Sequence, residues 1–290
     1  MIWINKIKRK LSLDQGLTYI FVTALVAFTM LPIVYMISTA FKPLDELFLF
    51  PPRFLVQKPT LRNFSELFRA VDGTIVPFSR YIFNSLFVSA AVVFGTVIIS
   101  SMAAYALVKL EVPGAGFLFN IIVAALMFSP HTTQIARYLI VQKLGLLDTY
   151  GALIIPQLAV AYNLFLIKQF MEQVPDSILE AARIEGATEL RIWWRFIMPL
   201  TAPAWSTLAV LSFVSNWNDY FTALIFTSSQ VMKTLPLALQ LISNGGAGLA
   251  VARQGAMAAA TFLTTMPTII IFMFMQRKVM DTMAYSGIKA

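Results

Sequence analysis

The sequence predicts an all-α membrane protein with six transmembrane helices. Its 290 residues are 58% hydrophobic and have a mean hydropathy of +0.75, which is far more apolar than a soluble core requires. Only 12% of the residues are charged, and they leave six uncharged intervals long enough to cross about 30 Å of hydrocarbon as helices. Outer-membrane strands would give ten-residue segments of alternating polarity, which this sequence lacks, so a helical bundle is predicted.

Each predicted span is an uncharged interval between two charged residues. The six intervals are bounded by Asp14 and Lys42, Arg80 and Lys109, Glu111 and Arg137, Asp148 and Lys168, Arg195 and Asp219, and Arg253 and Arg277. A seventh uncharged interval, Thr234 to Ala252, contains Pro236 and a glycine-rich stretch. These residues favour a loop with a short helical element over a further span.

A basic cluster before the first span predicts the orientation. Lys6, Lys8, Arg9 and Lys10 are expected to stay in the cytoplasm, and an even number of helices returns the C-terminus to the same side. The predicted organisation is therefore a cytoplasmic N-terminal segment (1–16), a membrane domain (17–277) and a cytoplasmic tail (278–290). Within the membrane domain, two loops are predicted on the outer side, at about 42–80 and about 227–254, and one on the cytoplasmic side, at about 172–200.

The sequence predicts neither a catalytic nor a metal site. It contains no cysteine and a single histidine, His131, and it has no phosphate-binding loop and no metalloprotease or nucleophile-elbow motif. We therefore expect that the chain is not an enzyme and binds no cofactor itself. The net charge of +8 is spread over loops on both faces, which favours contact with membrane lipid over nucleic acid.

Residues 180–199, EAARIEGATELRIWWRFIMP, form an unusually charged segment between the fourth and fifth spans. Ser177 and Glu180 fit a capping box that would begin a short helix. Gly186 can adopt a positive φ and end that helix, and Thr188 can cap a second one. The predicted structure is a helix, a glycine turn and a second helix.

The second of these helices is predicted to be amphipathic. Its apolar residues recur at helical spacing: Leu190, Trp193, Trp194, Ile197 and Met198. Such a stripe is typical of a helix resting on the membrane surface, and it is equally suited to docking on a protein partner. The residues alone leave both interpretations open.

The same segment resembles the EAA signature of permease subunits in bacterial ATP-binding-cassette (ABC) importers. The matching residues are Glu180-Ala-Ala182, Glu185-Gly-Ala187 and, eight residues on, Phe196-x-Met198-Pro199. Further matches to the carbohydrate-uptake type 1 branch, and to its shorter, maltose-type permease subunit, occur in Leu144–Thr149, Trp217–Tyr220, Thr234–Pro236 and Ser286–Lys289. The resemblance implies the type I ABC importer permease fold.

The resemblance also implies a set of partners and contact residues. In such importers the EAA loop docks on a dimeric ATPase that uses ATP and magnesium, and here that contact would fall on Glu180, Ala181, Ala182, Glu185 and Gly186. A second homologous permease and an extracytoplasmic sugar-binding protein would complete the importer in the bacterial inner or plasma membrane. The binding protein would be contacted by a glycine-containing outer loop, at Ser243, Asn244, Gly245 and Gly246.

A polar and aromatic cluster near the end of the fifth span is the candidate substrate pathway. It comprises Asn216, Trp217, Asn218, Asp219 and Tyr220. Polar groups within spans are functional candidates because burying them in lipid is expensive, and sugars are bound by aromatic rings together with amides or carboxylates. An interfacial aromatic belt, or residues that only pack the fold, would give the same pattern.

Two other functions remain open at this point. A self-sufficient secondary transporter would need buried ionisable groups, and the spans offer only Asp219 at their margin. A non-transporting membrane scaffold would account for the helices and the docking segment but not for the polar cluster in the fifth span. The sequence therefore favours a permease subunit that couples ATP hydrolysis by a partner to alternating access for a di- or oligosaccharide.

Overall fold

The structure is a computed structural model that describes residues 13–70, 76–129, 132–243 and 254–287. Within these ranges the regular structure is helical and no β-strand occurs. The chain divides into two compact units, formed by Met1–Leu67 with Ala247–Phe262 and by Phe68–Gly246 with Leu263–Ala290. The glycine-containing outer loop at Asn244, Gly245 and Gly246 lies outside the described residues.

The first unit contains a long apolar helix and the compact loop that follows it. Helix α1 spans Leu13–Phe41, and the short helices α2 (Leu44–Leu47) and α3 (Arg62–Ala70) follow. The amide of Asn63 donates to the carbonyls of Ala40 and Lys42 at 2.9 and 2.7 Å, and this ties the loop back to the end of α1. The loop is therefore an ordered structure within its unit.

The second unit is built around helix α4, which spans the 32 residues Phe78–Lys109. Helices α7, α8 and α12 pack along it. Its buried face carries small residues, Ser85, Ser89, Thr96, Ser100, Ser101 and Ala104, which allow neighbouring helices to approach closely. The remaining elements of this unit take their positions from α4.

The other helices follow in chain order. They are α5 (Ala115–Ala125), α6 (Gln134–Lys143), α7 (Tyr150–Leu158), α8 (Ala161–Met171), α9 (Asp176–Ile184), α10 (Glu189–Ile192), α11 (Met198–Leu200), α12 (Ala202–Trp217), α13 (Phe221–Phe226), α14 (Leu235–Ser243) and α15 (Gln254–Gly287). A π-helical turn, Trp193–Ile197, joins α10 to α11, and a 3₁₀ turn, Gln230–Met232, precedes α14. Helix α14 is the short element predicted for the seventh uncharged interval.

The described helices include three to five candidate membrane spans, judged by their length and composition. Segments Gln15–Phe41, Phe78–Lys109 and Gln254–Gln276 are each long and apolar enough to cross alone. Two further crossings result if α7 with α8, bent by 43°, and Glu189–Leu200 with α12, bent by 81°, each count as one span. The number six is therefore not reached among the described residues.

The third predicted span is not one continuous helix. Helix α5 has 11 residues and ends at Ala125, and the chain turns before α6 begins at Gln134. Pro130, which lies outside the described residues, has no N–H with which to continue a helix. Helix α15, in contrast, runs through the predicted boundary of the tail at residue 277 and ends at Gly287.

Candidate functional site

Helix α9 carries the predicted coupling residues, but it begins differently from the prediction. Pro175 is the residue before the helix, in an extended conformation, and Asp176 is the first helical residue. Ser177 therefore lies within the first turn, and the predicted capping box is wrong. Asp176 supplies the negative charge that stabilises a helix N-terminus in its place.

The predicted glycine turn is confirmed. Gly186 has a φ of +80°, and its N–H donates to the carbonyl of Arg183 at 2.9 Å. The N–H of Ala187 donates to the carbonyl of Ala182 at 3.0 Å, which completes a Schellman motif at the end of α9. A Cβ at Gly186 would meet nothing within 4 Å, so the positive φ alone makes glycine the favoured residue.

The five predicted coupling residues divide between surface and core. Glu180, Ala181, Glu185 and Gly186 are exposed, whereas Ala182 is only 4% exposed and lies with Leu179 in the chain's own core. Ala182 therefore does not fit the predicted contact with a partner, because its position in the helix turns it inward. Ile184 was missed by the sequence reasoning: it is 88% exposed, and the only signal in the sequence was an isoleucine four residues after Glu180.

The second helix of the loop begins after Thr188 as predicted, but its apolar residues face two directions. The Thr188 side chain makes no capping bond. Trp193 and Ile197 are buried, whereas Leu190 and Trp194 are 63% and 60% exposed. A π-helical turn shifts the helical register over these residues, so the predicted single stripe is wrong.

The loop is attached to the Lys109 end of α4 by polar contacts that the sequence did not reveal. The side chain of Lys109 is 4% exposed, and its Nζ donates to the carbonyl of Val174 and to Asp176 Oδ1, both at 2.7 Å. These two bonds hold the start of α9 against the end of α4.

A second attachment lies at the other end of α9. The Arg183 guanidinium donates to the carbonyl of Lys109 at 3.2 Å and to Glu189 at 2.9 Å, and the Tyr105 hydroxyl also donates to Glu189. The hydrogen bond to Glu189 raises the pKa of Arg183 above its usual value, so the guanidinium stays charged. Both ends of α9 are thus bonded to α4 or to a residue that α4 holds.

Three residues of the candidate substrate pathway donate hydrogen bonds to backbone carbonyls of the protein. Trp217 is 1% exposed, stacks on Phe213, and donates from Nε1 to the carbonyl of Thr264 at 2.7 Å. The amides of Asn216 and Asn218 each donate to a carbonyl one turn earlier in α12. The ring of Trp217 is therefore buried in the packing of the second unit and does not line a surface that a solute could reach.

Asp219 is a structural node between two helix breaks. Its Oδ1 accepts from the N–H groups of Phe221 and Thr222 at 2.9 and 3.0 Å, at the start of α13. Its Oδ2 accepts from the Thr222 hydroxyl and from Gln157 at the end of α7, the latter at 3.1 Å. Asp219 thus fixes the chain where α12 gives way to α13.

Gln157 is a polar residue of this region that the sequence reasoning missed. Its side-chain amide donates to Asp219 and to Thr222, and its backbone carbonyl accepts from the Thr96 hydroxyl in α4 at 3.4 Å. A glutamine directly after Pro156 within an apolar interval was the signal. Of the predicted pathway residues, Tyr220, at 40% exposure, and Asn218 remain accessible at the surface of the second unit.

Ser243, the first residue of the predicted binding-protein contact, is the last residue of α14. The other three residues of that contact lie outside the described residues, so it stays a prediction.

The sequence matches a known protein family over almost its whole length. The family described as "Binding-protein-dependent transport system inner membrane component" matches residues 9–283. The chain belongs to this family. It is therefore a transport permease and a multi-pass membrane protein.

Individual relatives agree with this membership. Protein LplC of Bacillus subtilis (strain 168) is 30% identical over 278 residues, covering 91% of this permease and 90% of the relative. The sn-glycerol-3-phosphate transport system permease protein UgpE of Yersinia enterocolitica (serotype O:8 / biotype 1B, strain NCTC 13174 / 8081) is 32% identical over 229 residues, covering 78% and 80%.

A solved structure agrees as well. A bacterial ABC transporter involved in the import of the acidic polysaccharide alginate superposes with a TM-score of 0.78 at 25% identity, covering 92% of this permease and 98% of that chain. The predicted resemblance to permease subunits of carbohydrate ABC importers is confirmed by these matches. UgpE and the solved neighbour are described as transport proteins, in agreement with the expectation that the chain is not an enzyme.

Proposed function

We propose that this permease is the transmembrane subunit of an ATP-driven importer for a di- or oligosaccharide and converts nucleotide-driven movement of a partner ATPase into alternating access. The observation that carries this proposal is the surface of α9. The helix lies outside the candidate spans, ends in a Schellman turn at Gly186, and presents Glu180, Ala181 and Ile184 to the exterior.

This exposed face has the chemistry of a docking surface. Ile184 is a large apolar side chain with 88% exposure, next to the small Ala181 and the charged Glu180. An apolar side chain surrounded by polar residues contributes most to binding when a partner desolvates it fully. We assign Ile184 as the apolar anchor, Ala181 as the point of close approach, and Glu180 with Glu185 as the charged rim.

The energy for transport would come from partner subunits. The sequence contains no phosphate-binding loop, so ATP and magnesium would be bound by a dimeric ATPase beneath the permease. A second homologous permease would complete the pathway, and the family description supports an extracytoplasmic binding protein that delivers the solute. In this assembly the chain would cross the bacterial inner or plasma membrane six times, with both termini in the cytoplasm.

The substrate class rests on the relatives and on the residues left accessible. UgpE is named for sn-glycerol-3-phosphate, and the solved neighbour is described as importing alginate, so polyhydroxylated solutes form the expected class. We expect Tyr220 and Asn218 to face the solute. Trp217 and Asp219 fix the chain on either side of Asn218 through their hydrogen bonds within the protein. The carboxylate of Asp219 already accepts four hydrogen bonds, which argues against ion-coupled secondary transport.

The proposal is tested by purifying the permease from its native membrane in mild detergent. We expect a second permease and an ATPase to accompany it, and Ile184→Gln to remove the ATPase while leaving the second permease bound. Ile135→Gln is the matched control, because Ile135 is 76% exposed but lies on α6. Retention of the ATPase by Ile184→Gln and Glu180→Lys together would overturn the docking assignment.

The same preparation tests the substrate class. ATP hydrolysis by the assembled complex is measured with neutral, acidic and phosphorylated oligosaccharides, together with the binding protein. Stimulation by one of these classes supports import of that class, whereas solute movement into liposomes by the permease alone, without ATP, contradicts the proposed function.

A further inference from the structure

The coupling loop touches the membrane domain through a lysine that lies outside the recognised coupling motif. Lys109 is the last residue of α4, 67 positions before Asp176, and its side chain is 4% exposed. A lysine this deeply buried is unusual unless its charge is paired and its donors are used. Here Nζ bonds both a backbone carbonyl and a carboxylate of the loop.

The two bonds of Lys109 differ in their exposure to water. The carbonyl of Val174 accepts within the protein interior, since Val174 is 7% exposed. Asp176 is 72% exposed, so its ion pair with Lys109 is screened and contributes little. The attachment therefore depends mainly on the buried N–H to carbonyl bond, which cannot be replaced by water if the lysine is removed.

The backbone of Lys109 takes part in a second contact with the same loop. Its carbonyl, one of those left unpaired at the end of α4, accepts from Arg183. Arg183 stands near the end of α9, whereas Val174 and Asp176 stand at its start. One residue of α4 is thus bonded to both ends of the coupling helix.

We propose that Lys109 is the positioning residue that makes α4 and the coupling helix α9 move as one body when the partner ATPase closes. This inference rests on the proposed function, because it assumes that an ATPase pushes on α9. Helix α4 is about 48 Å long at 1.5 Å per residue, so a displacement of its Lys109 end is carried along the whole second unit.

The experiment measures the distance between spin labels in the full-length permease assembled with its partners in lipid nanodiscs. The sequence contains no cysteine, so Ser177→Cys on α9 and Phe94→Cys on α4 provide the only labels on this subunit. Both positions are exposed, Phe94 at 70%. Distances are recorded without nucleotide and with magnesium and a non-hydrolysable ATP analogue.

In the otherwise unaltered chain we expect one narrow distance that the nucleotide does not change. Lys109→Met keeps the length and apolar stem of the side chain but removes its donors, and it should widen the distribution about twofold and make it depend on nucleotide. ATP hydrolysis by the same complex should lose about fivefold or more of its stimulation by the binding protein, which is the lower end of typical coupling effects. Lys109→Arg should restore both readouts.

Lys168→Met is the matched control. Lys168 also stands near the end of an apolar helix and is paired with an acid, Glu172, but its Nζ lies over the ring of Phe119 on α5. If Lys109→Met fails to insert, Lys109→Gln takes its place. Its side chain is neutral and one atom shorter, so we expect it to lose the bond to the carbonyl of Val174 and to change both readouts in the same direction.

An unchanged narrow distance and unchanged stimulation in the Lys109 variant would overturn the inference. Failure of the proposed function has a different signature. If no ATPase binds the permease, Lys109→Met would still widen the distance distribution, but nucleotide would change the distance neither with nor without the substitution.

Discussion

The two ends of α4 are held by different chemistry. At the Lys109 end the contacts use charged groups, with Lys109 bonded to Val174 and Asp176, and Arg183 bonded to Glu189. At the Phe78 end they are neutral: the amide of Asn84 donates to the carbonyls of Val231 and Lys233 at 2.7 and 2.8 Å.

The neutral contacts are the more deeply buried. Asn84 is 0% exposed and also accepts from the Tyr150 hydroxyl at 2.7 Å, and Ser85 accepts from the N–H of Leu235 at 2.8 Å. Arg183 and Glu189, in contrast, have side chains that are 38% and 45% exposed. Neutral bonds in a buried site favour permanent attachment, whereas half-exposed ion pairs can be rearranged at low cost in free energy. The Phe78 end of α4 is therefore attached by neutral buried bonds, whereas the attachment at the Lys109 end depends in part on charge.

The largest expected effect is at the Phe78 end. Asn84→Leu removes three buried hydrogen bonds and leaves two carbonyls without a donor, so we expect a loss of about 3 kcal/mol in the free energy of unfolding. Unfolding is followed in mixed micelles by denaturing detergent. Asn218→Leu is the control, since Asn218 is exposed and makes one bond within its own helix. Equal stability of the two variants would contradict the view that the buried bonds of Asn84 hold this end of the helix.

The next largest change in the free energy of unfolding is expected at the glycine turn that follows α9. Gly186→Ala places a side chain at a φ of +80° and should cost about 1 kcal/mol. Gly116→Ala, in α5, meets no steric obstacle and should instead stabilise by about 0.5 kcal/mol.

The opposite signs make the pair a sharp test. Both substitutions add the same methyl group, so a difference between them in the same unfolding assay reports the backbone conformation alone. Two effects of the same sign would show that the positive φ of Gly186 does not constrain the coupling loop.

The smallest expected effect is a cost in stability that depends on salt concentration at the Lys109 end of α4 and not at the Phe78 end. Glu189→Gln weakens a half-exposed ion pair and should cost about 0.5 kcal/mol at low ionic strength, falling towards zero in 1 M salt. The cost of Asn84→Leu should not depend on salt, because no charge is involved. The measurement is unfolding of both variants at low and high salt, and a salt-independent cost at Glu189 would mean that packing, and not charge, holds this end.

Local features of the structure could be predicted well from the sequence. The turn at Gly186 followed from a residue that tolerates positive φ between two helical patterns, and α14 followed from a short apolar stretch before glycines. The third predicted span was less accurate, because counting uncharged residues does not detect the end of α5 at Ala125. Charge spacing measures whether a segment tolerates lipid, and it does not measure whether the backbone stays helical.

The roles of individual side chains were harder to predict. Ala181 and Ala182 are neighbours of the same type, yet one is exposed and the other belongs to the core. Trp217 was placed in a candidate substrate pathway, but its indole donates to the carbonyl of Thr264, which is 47 positions away. Asp219 was recognised as unusual, and its bond to Gln157 could not be foreseen because two helix breaks must come together to form it.

By itself, the sequence determined that this protein is an apolar helical membrane protein with one charged helix–turn–helix loop and a motif typical of importer permeases. These properties depend on composition and on spacing within a few turns of helix, which a linear pattern contains. The tertiary structure alone decided that Lys109 is bonded to the chain at the start of α9, that Ala182 faces inward and that Asp219 joins two helix breaks. Such contacts join residues far apart in the chain, and only the packing of helices around α4 brings their atoms within bonding distance.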